Sequence, residues 1–175
     1  HDIGKMKNPL YFIENQTSGF NPHDELSFEE SAEIIIAHVS DGVKLAKKNK
    51  LPDRIIDFIR THHGTTMVQY FYKQYLKNFP DEVVDKSKFS YKGPRPFSRE
   101  TAVLMMSDAV EAASRSLKEP NAENIDGLVE GIINHQMSER QFENVDITMK
   151  DLSDIKKIFK KKLRSIYHVR VEYPE

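Results

Sequence analysis

Apolar residues recur at three- and four-residue intervals along most of this chain, which predicts helices almost throughout. Residues 6–24 interrupt the rhythm with Pro9, Gly19 and Pro22 and read as irregular. Within them Tyr11-Phe12-Ile13 makes an apolar-aromatic patch, and His23-Asp24 reads as solvated loop. Ser27-Phe28-Glu29-Glu30 has the form of a capping box and predicts a helix to about Asn49, with Ile34, Ile35, His38 and Val43 on its inner side. The next helix opens at Pro52-Asp53, presents Ile55, Ile56, Phe58 and Ile59, and ends on His62-His63 before Gly64. Thr66 to about Phe79 reads as a helix, and residues 80–97 as a long loop. Ser98 caps an apolar helix to about Leu117, and Asn121 caps one to about Glu139, in which His135 reads as packing. Thr148-Met149-Lys150-Asp151 opens a last helix to about Tyr167, whose Lys156-to-Arg164 run reads as amphipathic with a solvated basic face. The stretch after His168 reads as short strand or coil. The expected fold is all-α.

Length and composition narrow the picture further. At 175 residues the chain is expected to form one domain with a substantial core. It has no cysteine, which excludes a disulfide framework and thiolate metal ligands. A formal net charge of −1 offers no bulk electrostatic reason to bind DNA. Apolar runs such as Ile34-Ile35-Ile36-Ala37 are far too short to span a membrane. The chain opens on His1-Asp2 itself, so it is expected to be a fragment of a longer protein.

The chemistry lies in polar residues placed among apolar ones. His38 shares a face with Ile34 and Ile35, His62 and His63 follow Phe58 and Ile59 by helical spacing, and Asp108 sits inside Ala102-Val103-Leu104-Met105-Met106-Ser107-Asp108-Ala109-Val110. Singly, each has an ordinary explanation, an inward histidine being more often a core residue than a ligand. Burying all of them separately would be costly. Together with His1 and Asp2 they form a set suited to divalent first-row metals, and a carboxylate can bridge two ions held about 3.5–4 Å apart.

Four blocks carry a resemblance over essentially the whole chain. They are His1-Asp2-Ile3-Gly4-Lys5, Pro9-Leu10-Tyr11-Phe12-Ile13-Glu14-Asn15-Gln16, His62-His63-Gly64-Thr65, and Asp108 through Arg115. The chain resembles the HD-domain phosphohydrolases, and within them the cytoplasmic HD domain of the membrane-anchored, seven-transmembrane cyclic di-AMP phosphodiesterases of the PgpH type. The signature that names the HD-GYP branch is absent after His62-His63-Gly64.

The resemblance implies an HD-domain helical bundle over residues 1–175 and hydrolysis of cyclic di-AMP to linear pApA. It implies His1, Asp2, His38, His62, His63 and Asp108 as metal ligands, with a further histidine on an upstream helix. Two divalent ions are expected, Mn or Fe in preference to Zn because the set lacks thiolates. Asp2 is expected to bridge the ions, Lys5 to clamp phosphate, and Tyr11, Phe12 and the 91–97 loop to meet adenine. The expected setting is the cytoplasmic side of a bacterial membrane protein, anchored through segments outside this chain. An HD hydrolase of another nucleotide and a catalytically silent dinucleotide sensor are the competing readings.

Overall fold

The computed structural model describes residues 1–16 and 20–168; the readings of Gly19 as a breaker and of the stretch after His168 fall outside them. The regular elements are α1 (Phe28–Lys48), α2 (Asp53–Thr61), α3 (Gln69–Asn78), α4 (Arg99–Ser114), α5 (Ala122–Ser138) and α6 (Met149–His168), with short 3-10 helices before α1 and between α3 and α4. Among the described residues, extended pairing is confined to an isolated antiparallel bridge between Met67 and Ser90. The fold is all-α, as the periodicity predicts. Contacts divide the chain into two compact units, His1–Pro94 and Arg95–Glu175.

In the first unit, α1 begins at the expected capping box: the Glu30 amide donates to Ser27 Oγ at 3.2 Å, and the Ser27 amide donates to Glu30 Oε2 at 2.9 Å. The irregular stretch after Asp2 resolves into short 3-10 helices, the first spanning Ile3–Lys7. That helix lies directly on α1. A Cβ on Gly4 would fall 1.8 Å from the His38 carbonyl oxygen, and one on Gly42 would fall 2.9 Å from Ile59 Cγ2. Only glycine permits backbone to meet backbone this closely.

Two apolar clusters complete this unit. Ala46, Ile56 and Ile59 pack with Ile3 and Val43, while Ala32, Phe71, Tyr75 and Phe89 pack with Phe28 and Ile35. Ile55 differs from expectation: it is 44% exposed, because the short α2 buries only the narrower face of Ile56 and Ile59. Helix α3 starts at Gln69, later than Thr66, because Val68 donates to the Phe89 carbonyl and Tyr91 to the Thr66 carbonyl. Those bonds hold residues 66–68 extended against the 3-10 helix Lys86–Phe89 and its sequel.

In the second unit, Ser98 and Thr101 cap α4 and Thr148 and Asp151 cap α6. Ala102, Met105, Met106 and Val110 of α4 pack with Ile125, Val129 and Ile133 of α5 and with Leu152 and Leu163 of α6. The basic run of α6 is not simply solvated. Lys156 and Lys160 reach Glu130 at 2.7 and 2.6 Å, and Arg164 reaches Asp126 at 2.5 Å, so acids on α5 hold half of that face. His135 is exposed and lies 3.5 Å from Glu139, one turn on, where packing was expected. Among the described residues no helix is long and apolar enough to cross a membrane.

Candidate metal centre

The first unit brings three pieces of chain to one point. The backbone fit of Gly4 on α1 sets His1 and Asp2 beside the middle of that helix, where His38 is buried. Helix α2 ends on His62, and the turn through His63 to Gly64, with φ at 52°, stops it there. His62 is buried and His63 half-buried. Ligand atoms of His38, His62 and His63 lie within 4.8 Å of one another, as do those of His1, Asp2 and His62.

The ring orientations decide what this cluster needs. His38 Nδ1 lies 2.5 Å from the Ile35 carbonyl, and His62 Nδ1 lies 2.7 Å from the Ile59 carbonyl. A carbonyl only accepts, so both Nδ1 atoms carry a proton and donate it. The two Nε2 atoms then face each other at 3.0 Å, and Asp2 Oδ1 lies 3.5 Å from each. Two imidazole lone pairs and a carboxylate oxygen at these distances repel unless a positive charge lies among them, either one shared proton or a metal ion. Nδ1 donation to a backbone carbonyl with Nε2 directed inward is also how metal-binding histidines are oriented. The donors are imidazole nitrogen and carboxylate oxygen without thiolate, which fits divalent first-row ions.

Protonation follows from the same contacts. Burial would raise the Asp2 pKa, but hydrogen bonding with His1 and with the Lys5 ammonium more than offsets it and holds the carboxyl far below its ordinary range. Burial lowers His38 to about 4 despite its Ile35 hydrogen bond. Burial, then the charge of His62 and of His38, pushes His63 well below the usual histidine value. Asp2 is therefore an anion, and His38 and His63 are neutral, at physiological pH: the protonation states a metal requires.

The other expected site residues separate by role. Lys5 donates to Asp2 Oδ2 at 2.9 Å and to Glu14 Oε1 at 2.6 Å, and sits 5.2 Å over the Phe12 ring. Phe12 is 6% exposed, its ring nearly perpendicular to that of His38 at a centroid distance of 5.7 Å, and the Lys5 ammonium lies over it, so little of its surface is open. Tyr11 is half-buried, and its carbonyl meets His23 Nε2 at 2.9 Å. His23 is half-buried between the Tyr11 and Phe71 rings, where solvated loop was expected. Tyr91, from the loop expected to meet adenine, instead stacks on His63 with ring centroids 4.2 Å apart. Asp108 is half-buried on α4 in the second unit. Arg115 pairs with Glu111, one turn before it, at 2.9 Å. Sequence reasoning missed Glu14 and the Gly4–Gly42 contact. The small residues at positions 4 and 42 were its only trace of that contact, and nothing in the spacing marks Glu14.

A helical scaffold with a His-Asp pair set against three further histidines is that of the HD domain: the family's model matches residues 1–113, and the chain belongs to this family. Over all 175 residues it is 43% identical to the cyclic-di-AMP phosphodiesterase PgpH of Bacillus subtilis (strain 168), spanning 24% of that protein. It is similar to the crystal structure of the Listeria monocytogenes PgpH HD domain, with 41% identity, a TM-score of 0.88, and coverage of 96% of this chain and 78% of that one. The structure of that domain in complex with cyclic-di-AMP gives 42% identity and a TM-score of 0.90, covering 95% and 77%. The chain thus spans about a quarter of the length of the full relatives it matches.

Proposed function

We propose that residues 1–175 work as one HD phosphohydrolase domain that hydrolyses cyclic di-AMP to linear pApA with two divalent metals. The observation that carries this reading is the pair of Nε2 atoms 3.0 Å apart beside Asp2, a slot that requires positive charge. The identity to two cyclic-di-AMP phosphodiesterases, and the likeness to a domain crystallised with that dinucleotide, support the substrate.

In this reading His38 and one or both of His62 and His63 would hold one ion. His1 would hold the other, and Asp108 is a further proposed ligand. Asp108 enters only through the resemblance of the block from Asp108 to Arg115 to the family's distal aspartate. Asp2 would serve both, since its Oδ1 lies 3.5 Å from His38 Nε2 and from His62 Nε2 and its Oδ2 lies 3.3 Å from His1 Nε2. Mn or Fe suits this set better than Zn. When bound, such ions acidify water and offset charge on the phosphoryl group.

The protein's own residues prepare that chemistry. Backbone carbonyls fix the imidazole tautomers, Asp2 stays anionic, Tyr91 stacks against His63, and Phe12 covers the side of His38. In the same reading Lys5 donates to a phosphoryl oxygen and Tyr11 meets adenine. The setting we propose is the cytoplasmic face of a bacterial membrane protein whose anchor lies outside this chain.

Elemental analysis of the purified protein, followed by chromatography of cyclic di-AMP incubated with Mn(II), tests the proposal. About two metals per chain, with formation of pApA that is lost in Asp2→Ala, is the expected result. Bound metal without pApA would redirect the site to another nucleotide or to sensing, and absence of metal would sink the dinuclear centre.

A further inference from the structure

Lys5 stands between two carboxylates. Its ammonium is 2.9 Å from Asp2 Oδ2 and 2.6 Å from Glu14 Oε1. Glu14 belongs to neither cluster of possible metal ligands among the described residues, so its contact with Lys5 is its link to the centre.

Glu14 is also presented from a braced segment. It sits on the 3-10 helix Ile13–Asn15. Just before that helix, the Tyr11 carbonyl meets His23 Nε2, and His23 packs on Phe71. Just after it, Gln16 Nε2 donates to Asn21 Oδ1 at 3.2 Å, and Asn21 Nδ2 donates to Asp24 Oδ1 at 2.8 Å.

This arrangement answers an electrostatic difficulty. An ammonium on the carboxylate that is to receive divalent cations repels those cations. A second carboxylate on the same ammonium cancels that charge while leaving its hydrogen bond to Asp2 intact. Of the three N–H donors on a lysine, Asp2 and Glu14 take two, which leaves one for a phosphoryl oxygen.

We propose that Glu14 is a positioning residue, which neutralises and fixes Lys5 so that the ammonium orients Asp2 without weakening metal binding there. The inference rests on the metal-centre reading above and goes beyond it by assigning a role to a residue outside the ligand set.

A double-mutant cycle in Mn(II) affinity, read by titration calorimetry, tests it without substrate. The proteins are the wild type, Glu14→Gln, Lys5→Met and the double variant. With Lys5 present, Glu14→Gln should weaken Mn(II) binding about tenfold; in the Lys5→Met background it should do so less than about twofold. Glu14→Asp, which keeps the charge, should recover most of the affinity. Equal weakening in both backgrounds, or none in either, would overturn the proposal while the wild type still binds Mn(II). A wild type that binds no Mn(II) would overturn the metal centre itself, and this inference with it. At saturating Mn(II), kcat for cyclic di-AMP should show the same coupling, with KM nearly unchanged in Glu14→Gln. Failure of the wild type to turn over that substrate would leave the calorimetric result to decide on Glu14.

Discussion

His38 shows how much a single side chain can encode. In the unfolded chain it titrates near 6.5; buried in α1 it stays neutral down to about 4. Between those values the unfolded state binds more protons than the folded one, so stability rises with pH across this window and falls as the solution is acidified. The span corresponds to roughly 3 kcal/mol. His63, also pushed down, acts in the same sense, and Asp2 adds a further loss below the ordinary aspartate range. Metal-free protein is therefore expected to melt at progressively lower temperature from pH 7 to pH 4, and His38→Gln should flatten part of that slope in thermal scans. Phe12, wedged at the edge of His38, gives a second test at this level. Phe12→Ala should cost about 3–5 kcal/mol in urea unfolding if its role is packing. A near-neutral result would return it to the substrate.

Elements bring these residues together by ending or touching where they do. Helix α2 stops on the histidines it delivers, and the 3-10 helix Ile3–Lys7 delivers the His-Asp pair by lying on α1 through Gly4 and Gly42. A methyl group on Gly4 would overlap the backbone of α1 and force the two apart. Gly4→Ala is expected to cost about 1–3 kcal/mol of stability and to abolish metal binding, since it moves His1 and Asp2 away from His38 and His62. Elemental analysis of a variant that still gives a helical circular dichroism spectrum would check this. Full metal occupancy in that variant would refute the placement.

At the level of the molecule there are two compact units, the first built on two apolar clusters and the second on one. Ile133 is fully buried in the second, among α4, α5 and α6 residues, and Ile133→Ala should lower unfolding free energy by about 2–5 kcal/mol in a denaturant titration. The helices were legible in the sequence because capping and periodicity act over a few residues: Ser27 with Glu30, Ser98 with Thr101, and Asn121 each start a helix where expected. The histidines and Asp2 were legible as candidates because polar groups among apolar neighbours need a partner. The late start of α3, the exposure of Ile55 and the anchoring of α6 by Glu130 and Asp126 were not, since each depends on residues distant in the chain. The same holds for the site. Residue order supplies its donors, but only the folded chain turns His38 and His62 Nε2 to Nε2, stacks Tyr91 on His63, and brings Glu14 to Lys5. Local spacing fixes which face of a helix a side chain occupies; what meets that face is set by packing between segments far apart in sequence.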